Sequence, residues 1–306
     1  VSTRELVVLG CSSQVPTRHR NHNGYALRFD DQLVLFDPGE GFQRQCAIAG
    51  VSLARASGLC ITHFHGDHCL GVPGVLQRRS LDGAERALPV WFPADGAEYL
   101  QRLRTGTIWW DRSGVVPVPV TDDGEVGWVG GLRVVAAHLE HRVTTVGYRL
   151  EEPDGIRLDG EALAAAGIRG QDVARLLDEG RFDTGRRVWA VEELTRPRPG
   201  QSMAFVMDTR LCDAAVALAA GVDLLVCEST YLDAEADLAR RHFHLTARQA
   251  AWLAREAGAR TLVLTHFSQR HPDSEAFAAE AREVHDDVVA ARDFLRVPFP
   301  ARREAS

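Results

Sequence analysis

The segment His63-Phe64-His65-Gly66-Asp67-His68 constrains this chain more than any other. It follows an apolar run over 59–62 with strand character and precedes a helical run from Leu70 to Arg78. Four potential metal ligands therefore crowd one strand-to-helix turn, where Gly66 lets the backbone fold tightly. Imidazoles and a carboxylate at opposite ends of such a turn can surround two adjacent ions.

A zinc ion takes about four ligands, so two ions need partners from elsewhere in the chain. Polar residues just past the end of a buried strand share the context of the first motif. His141 follows the strand predicted over Leu132 to Ala137, Asp208 ends Ala204-Phe205-Val206-Met207, and His266 ends Leu262-Val263-Leu264-Thr265. Together they complete a two-metal site. His138 and His242 lack that context and are assigned to surface or core packing. His19 and His22 lie in an early polar loop. Cys69 sits beside His68 but points the wrong way for a ligand at the start of a helix. His244 precedes Leu245-Thr246-Ala247, with Thr246 a predicted N-cap, and is a candidate proton donor instead.

The rest of the sequence sets the frame. Strands predicted near Leu6–Leu9, Tyr25–Phe29, 33–37, Leu132–Ala137, Thr145–Leu150, Ala204–Met207, Leu224–Cys227 and Thr261–Leu264 alternate with amphipathic helices at Asp95–Arg104, Arg210–Ala220, Ala247–Ala257 and Ser274–Asp287. Strand clusters interrupted by helices in both halves favour two sheets with helices outside over one doubly wound sheet. Residues 151–201 break the rhythm: no clear strand, several glycines and an Arg-Pro-Arg-Pro-Gly run mark an insertion. Six scattered cysteines without a C-x-x-C pair argue against a disulfide framework and a cysteine-zinc module. No apolar run approaches the length needed to cross a bilayer and no export signal opens the sequence, so a cytoplasmic protein is expected. A net charge of −7 counts against general nucleic-acid binding, so any RNA must meet a local basic patch.

At this point the residues resemble a known family. His63 to His68 followed by Leu70-Gly71-Val72-Pro73-Gly74 is similar to the signature of the metallo-β-lactamase superfamily in its ribonuclease Z form. Phe36-Asp37-Pro38-Gly39-Glu40-Gly41 with Gln43-Arg44-Gln45 resembles a second block, and Val146-Gly147-Tyr148-Arg149 a third. Met207-Asp208-Thr209-Arg210, Cys227-Glu228-Ser229-Thr230, His244-Leu245-Thr246-Ala247 and Thr265-His266-Phe267-Ser268-Gln269-Arg270 continue in the family's order. The chain departs from the pattern at Cys227, Leu245 and His271.

The resemblance implies an α/β fold of αββα four-layer type spanning residues 1–306, with residues 151–201 as an inserted tRNA-binding arm. It implies two zinc ions per subunit: one on His63, His65 and His141, a second on Asp67, His68 and His266, with Asp208 bridging. Manganese or cobalt would suit the same donors. Asp67 would accept the proton of the attacking water, His244 would contact the phosphate or protonate the leaving oxygen, and Glu228 would orient His244. The expected substrate is precursor tRNA, cut after the discriminator nucleotide to leave a 3′ hydroxyl, with Arg270, Arg181, Arg186 and Arg187 as substrate contacts. The family also implies a homodimer in which each arm serves the partner's site. Two competing readings are a hydrolase of small phosphodiesters or esters on the same scaffold and a non-catalytic RNA-binding protein.

Overall fold

The computed structural model describes residues 3–304, which divide into two compact units. The first comprises the chain up to Glu151 with Ser202–Pro300; the second comprises Glu152–Gln201 and the chain from Ala301 on. In the first unit, β1 (Arg4–Gly10), β2 (Gly24–Phe29), β3 (Gln32–Phe36), β4 (Gly58–Cys60), β5 (Leu88–Pro93) and β6 (Val115–Val120) lie side by side in that order. β7 (Gly124–Val129), β8 (Leu132–Leu139) and β9 (Thr145–Glu151) begin a second sheet. Four short strands of the second unit follow: β10 (Gly155–Leu158), β11 (Arg181–Asp183), β12 (Val188–Ala190) and β13 (Thr195–Arg198). Then β14 (Ser202–Val206), β15 (Leu224–Glu228), β16 (Thr261–Thr265) and β17 (Val288–Ala290) complete the second sheet in the order β17-β16-β15-β14-β9-β8-β7, and β18 (Arg296–Pro298) returns to pair with β1.

Both sheets are mixed in the same way. β18-β1-β2-β3 and β14-β9-β8-β7 are antiparallel, whereas β3-β4-β5-β6 and β14-β15-β16-β17 are parallel. β1 shows why the first sheet is interior: Leu6 and Val8 join the core between the sheets, while Val7 and Leu9 join the core on the outer face. A strand buried on both faces needs such a continuous apolar run. Between the sheets, the Phe205 ring lies 4.7 Å from that of Phe36 and edge-on to Tyr25 at 5.2 Å.

Helices cover the outer faces. α1 (Phe42–Ala49), α2 (Gly66–Cys69), α3 (Val72–Leu81) and α4 (Ala97–Thr105) contribute Phe42, Cys69, Val72, Leu76 and Leu100 to the core outside the first sheet. After α5 (Gly160–Ala166) and α6 (Gln171–Glu179) in the second unit come α7 (Asp213–Leu218), α8 (Ala236–His242), α9 (Ala247–Ala257) and α10 (Glu275–Arg282). α9 presents Leu253 together with Ala250, Ala251 and Ala254 to the second sheet, and the three alanines let helix and sheet approach closely. The layers run helix, sheet, sheet, helix, as the sequence led us to expect.

The structure corrects the sequence reading in two places. Strands β5, β6, β7, β17 and β18 were not anticipated; β6 reads Val-Val-Pro-Val-Pro-Val, and its prolines argue against a strand. It lies at the sheet edge, where a missing N–H is tolerated. The inserted segment, expected to have no clear strand, forms the β10-β13 and β11-β12 pairs and two helices around Leu163, Ile168, Leu176 and Leu194. Strands of three or four residues, mostly exposed, are too short to show a periodicity. Asp159 caps α5 by accepting from the amides of Glu161 and Ala162, and Gly167 and Gly170, with φ of 73° and 57°, turn the chain into α6.

Candidate metal centre

The parallel strands of both sheets end at one place, and polar residues occupy their carboxyl ends, where ligands bind in open α/β sheets. Asp37 follows β3, Thr62 and His63 follow β4, Asp208 follows β14, Glu228 closes β15 and His266 follows β16. His141 joins them from the β8–β9 connection. Asp37, Asp208 and His266 have φ of 41°, 32° and 60°. That left-handed backbone costs about 1–2 kcal/mol for a residue with a Cβ, and strain of this kind clusters at functional sites. Gly39 is required for a different reason: a Cβ there would lie 2.3 Å from the Asp67 carbonyl oxygen, so the loop after β3 packs backbone to backbone on the turn that carries the histidines.

The structure brings all seven expected ligands together. His63, His65, His141 and Asp208 offer ligand atoms within 4.8 Å of one another, and Asp67, His68 and His266 form a second such group. Asp208 divides itself between them. Its Oδ2 lies 3.5 Å from His63 Nε2 and 3.6 Å from His141 Nε2, while its Oδ1 lies 3.3 Å from His68 Nε2 and 3.1 Å from His266 Nε2. Asp67 Oδ2 stands 3.3 Å from His68 Nε2 and 3.5 Å from His266 Nε2.

Hydrogen-bond accounting assigns the tautomers. His68 Nδ1 lies 2.8 Å from Asp37 Oδ2, and His141 Nδ1 lies 3.1 Å from the Phe243 carbonyl oxygen, so both nitrogens donate and both Nε2 atoms carry a lone pair toward the cluster. His141 Nε2 and Asp208 Oδ1 are buried without a hydrogen-bond partner. His63 Nε2 faces His65 Nδ1 at 3.0 Å. Burial pushes the pKa of His63, His65 and His141 down, which keeps these rings neutral and their lone pairs available. Burial would raise Asp67 and Asp208, but the surrounding imidazoles hold both below the ordinary carboxylate range. His68 goes the other way: burial opposes charge, yet Asp208, Asp67 and Asp37 raise its pKa, and a cation bound here would take the place of that proton. Convergent lone pairs, two carboxylates and orphaned buried atoms fit divalent cations with nitrogen and oxygen donors.

His244 sits beside both groups, its ring centroid 5.2 Å from that of His141 and 5.4 Å from that of His266. Its Nδ1 lies 2.9 Å from Oε1 of the fully buried Glu228. Thr246 caps α9 by accepting from the Gln249 amide, which fixes the chain just after His244. The cluster opens into a cavity of about 300 Å³, whose wall includes His65, Asp67, His141, His244, Tyr231 and Arg270. Among the other sequence candidates, Arg270 thus borders the site, while Arg181, Arg186 and Arg187 belong to the second unit, on or beside the β11-β12 hairpin. His138 pairs with Asp123 and His271 with Glu235, and neither belongs to the ligand groups. The Cys69 thiol donates to the His65 carbonyl oxygen.

Sequence reasoning missed Asp37, Thr62 and Thr230 as parts of the site. Asp37 follows the buried run Leu33 to Phe36, the same context that picked out Asp208, so the signal was present. The threonines carry no such signal, because a hydroxyl near a strand end is common and its partners come from distant segments.

The family model described as the metallo-beta-lactamase superfamily matches residues 17–158, and one described as a beta-lactamase superfamily domain matches residues 172–267. A ribonuclease Z of Salinispora arenicola (strain CNS-205) is 53% identical over 308 residues, an alignment covering 100% of this chain and 99% of the relative. The chain belongs to the ribonuclease Z family. Its fold has a solved counterpart in the short form of human tRNase Z, at a TM-score of 0.69 and 23% identity over 97% of this chain and 100% of the other. The metallo-beta-lactamase fold protein YhfI of Bacillus subtilis matches at a TM-score of 0.70 and 17% identity, covering 97% and 99% of the two chains. Membership of the superfamily accounts for a cluster built to hold divalent metal ions.

Proposed function

We propose that this chain is a di-zinc endoribonuclease that removes the 3′ trailer of precursor tRNA, hydrolysing the phosphodiester after the discriminator nucleotide and leaving a 3′ hydroxyl on the tRNA. The observation that carries the reading is the split of Asp208, whose two oxygens face two separate histidine groups, as a bridge between two cations requires. His63, His65 and His141 would hold one ion, and Asp67, His68 and His266 the other. Bound there, two zinc ions supply positive charge for the phosphoryl oxygens and make water acidic enough to attack near neutral pH.

The chain's own residues do the rest. Asp67, anchored beside His68 and His266, orients the attacking water and accepts its proton late. His244 is the proton donor for the leaving oxygen: Glu228 holds it in place and keeps it charged, and its ring borders the cavity beside the ligand groups. Arg270, with its side chain largely exposed at the cavity wall, would meet a substrate phosphate.

Residues 152–201 serve as the arm that grips the tRNA away from its 3′ end. The segment carries eight arginines against ten acidic residues, so its positive balance is confined to 180–200. Of the arginines there, Arg187 pairs with Glu193, Arg196 with Asp159 and Arg198 with Glu152. Among the described residues no ion pair falls to Arg181 or Arg186, which leaves these two for phosphate. Arg187 also stacks on Trp189, 4.0 Å from the ring centre, and extends that surface. We place the protein in the cytoplasm as a homodimer whose arms each serve the partner's site; no helix of the described residues is long and apolar enough to cross a membrane.

The test is to map the ends of one precursor tRNA transcript carrying a trailer. A cut after the unpaired discriminator nucleotide, with a 3′ hydroxyl upstream and a 5′ phosphate downstream, is the expected product. Turnover of bis(p-nitrophenyl) phosphate with the transcript left intact would instead assign the site to small phosphodiesters.

A further inference from the structure

Two buried carboxylates, Asp37 and Glu228, stand behind the cluster, and each reaches two imidazoles by the same pair of routes. In the first, Asp37 meets His68 Nδ1 directly at 2.8 Å; its Oδ2 also accepts from the Thr62 hydroxyl at 2.7 Å, and that hydroxyl lies 3.0 Å from His63 Nδ1. In the second, Glu228 Oε1 meets His244 Nδ1 at 2.9 Å; its Oε2 accepts from the Thr230 hydroxyl at 2.6 Å, which lies 2.7 Å from His266 Nδ1. Asp37, Thr62, Glu228 and Thr230 are all buried.

A hydroxyl has one proton, and an ionised carboxylate can only accept. Thr62 and Thr230 therefore spend their protons on Asp37 and Glu228, and their oxygens are left as acceptors. The ring nitrogen facing each oxygen must then be the donor, so His63 and His266 are fixed with a proton on Nδ1 and a lone pair on Nε2. In both rings Nε2 is the atom turned toward Asp208. The Thr230 oxygen also lies 3.3 Å from His244 Nδ1, but that nitrogen has the nearer acceptor in Glu228.

We propose that Thr62 and Thr230 are paired positioning residues, each relaying a single buried carboxylate to a second imidazole and so fixing the tautomer and ring angle of one metal ligand in each half of the site. The inference rests on the ligand assignment proposed above. Thr62 acts on the half held by His63, Thr230 on the half held by His266. Through Glu228, the Thr230 relay also ties that second half to the proton donor His244, so one carboxylate holds a metal ligand and a catalytic residue in register. Replacing the hydroxyl by a methyl group of the same shape breaks the relay without starving the carboxylates: Asp37 keeps His68 and the Thr62 amide, and Glu228 keeps His244 and the amides of Thr209 and Leu245.

The experiment follows metal release from zinc-loaded protein. Wild type, Thr62→Val, Thr230→Val and the two serine variants are equilibrated with graded chelator, and the zinc kept per chain is measured, with His63→Ala and His266→Ala marking which release step belongs to which half. Thr62→Val is expected to weaken the step lost in His63→Ala by about 10–100-fold, and Thr230→Val the step lost in His266→Ala by a similar factor, the usual range for removing a partner of a metal-bound histidine. Serine at either position restores the wild-type curve. Valine variants that hold both ions as the wild type does, beside alanine variants that each lose one, would overturn the relay and leave the ligand assignment standing. Weakening of both steps alike by either valine variant would contradict the division of labour. Alanine variants that keep both ions would remove the ligand assignment itself, and the relay with it.

Discussion

The buried Glu228 and the half-buried His244 form a couple at the mouth of the metal cluster, with Oε1 of the one 2.9 Å from Nδ1 of the other. Burial alone would push the histidine pKa down, but the charges of Glu228 and Asp208 override it and push it up to about 9. A donor with a raised pKa holds its proton below that pKa and loses it above. The rate of cleavage should therefore fall along an alkaline limb. Cations bound beside Asp208 offset part of this attraction and bring the limb below 9. Glu228→Gln should shift the limb to lower pH. Profiles of kcat against pH for both proteins check this, and superimposable limbs would remove His244 from the role of proton donor.

Metal binding and chemistry should separate between two single variants. His65→Ala removes a ligand, so metal content and turnover should fall together while the fold persists. His244→Ala should keep its metal and slow cleavage by about two to four orders of magnitude, the range for losing a general acid. Metal analysis beside single-turnover cleavage reads both. Loss of an ion from His244→Ala would make this residue a ligand, for which its distance from Asp208 and His266 also qualifies it.

The arm's part in binding is open to a salt series. Arg181→Ala with Arg186→Ala should reduce the slope of log kcat/KM against log salt on precursor tRNA by about 1 for each phosphate contact removed. Hydrolysis of bis(p-nitrophenyl) phosphate should not change, because remote binding energy is not used on a small substrate. An unchanged tRNA slope would take these two arginines out of the RNA contact.

Arg79 offers a prediction about the scaffold alone. This fully buried guanidinium donates to the carbonyl oxygens of Leu53, Ala54, Ala56, Arg86 and Ser113, and so ties the loop before β4 to the approaches of β5 and β6. Arg79→Met should cost about 3 kcal/mol or more, since buried acceptors lose charged donors. Denaturant unfolding measures it, and a loss under 1 kcal/mol would mean that the carbonyls find other partners.

The parts of this molecule legible in its sequence are those set by local pattern. The histidine turn is contiguous, Asp208 and His266 follow strands whose apolar runs are continuous because both faces are buried, and His141 follows a strand whose burial alternates. Strand β6 was hidden by Pro117 and Pro119, whose tolerance depends on an edge position that topology alone supplies. The second unit's strands were hidden by their length. The threonine relays were illegible for a deeper reason: Thr62 acquires its role from Asp37, and Thr230 acquires its role from His266, across 25 and 36 residues of chain. Only the closing of the sheets brings those partners together.

Counting metal per chain in wild type and Asp208→Ala tests the central claim most directly, because that claim is a pair of cations bridged by one carboxylate. The account predicts two ions per chain in the wild type, with both sites weakened together in the variant and cleavage of precursor tRNA lost. A variant that retained both ions, or released one while binding the other as tightly as the wild type, would contradict it.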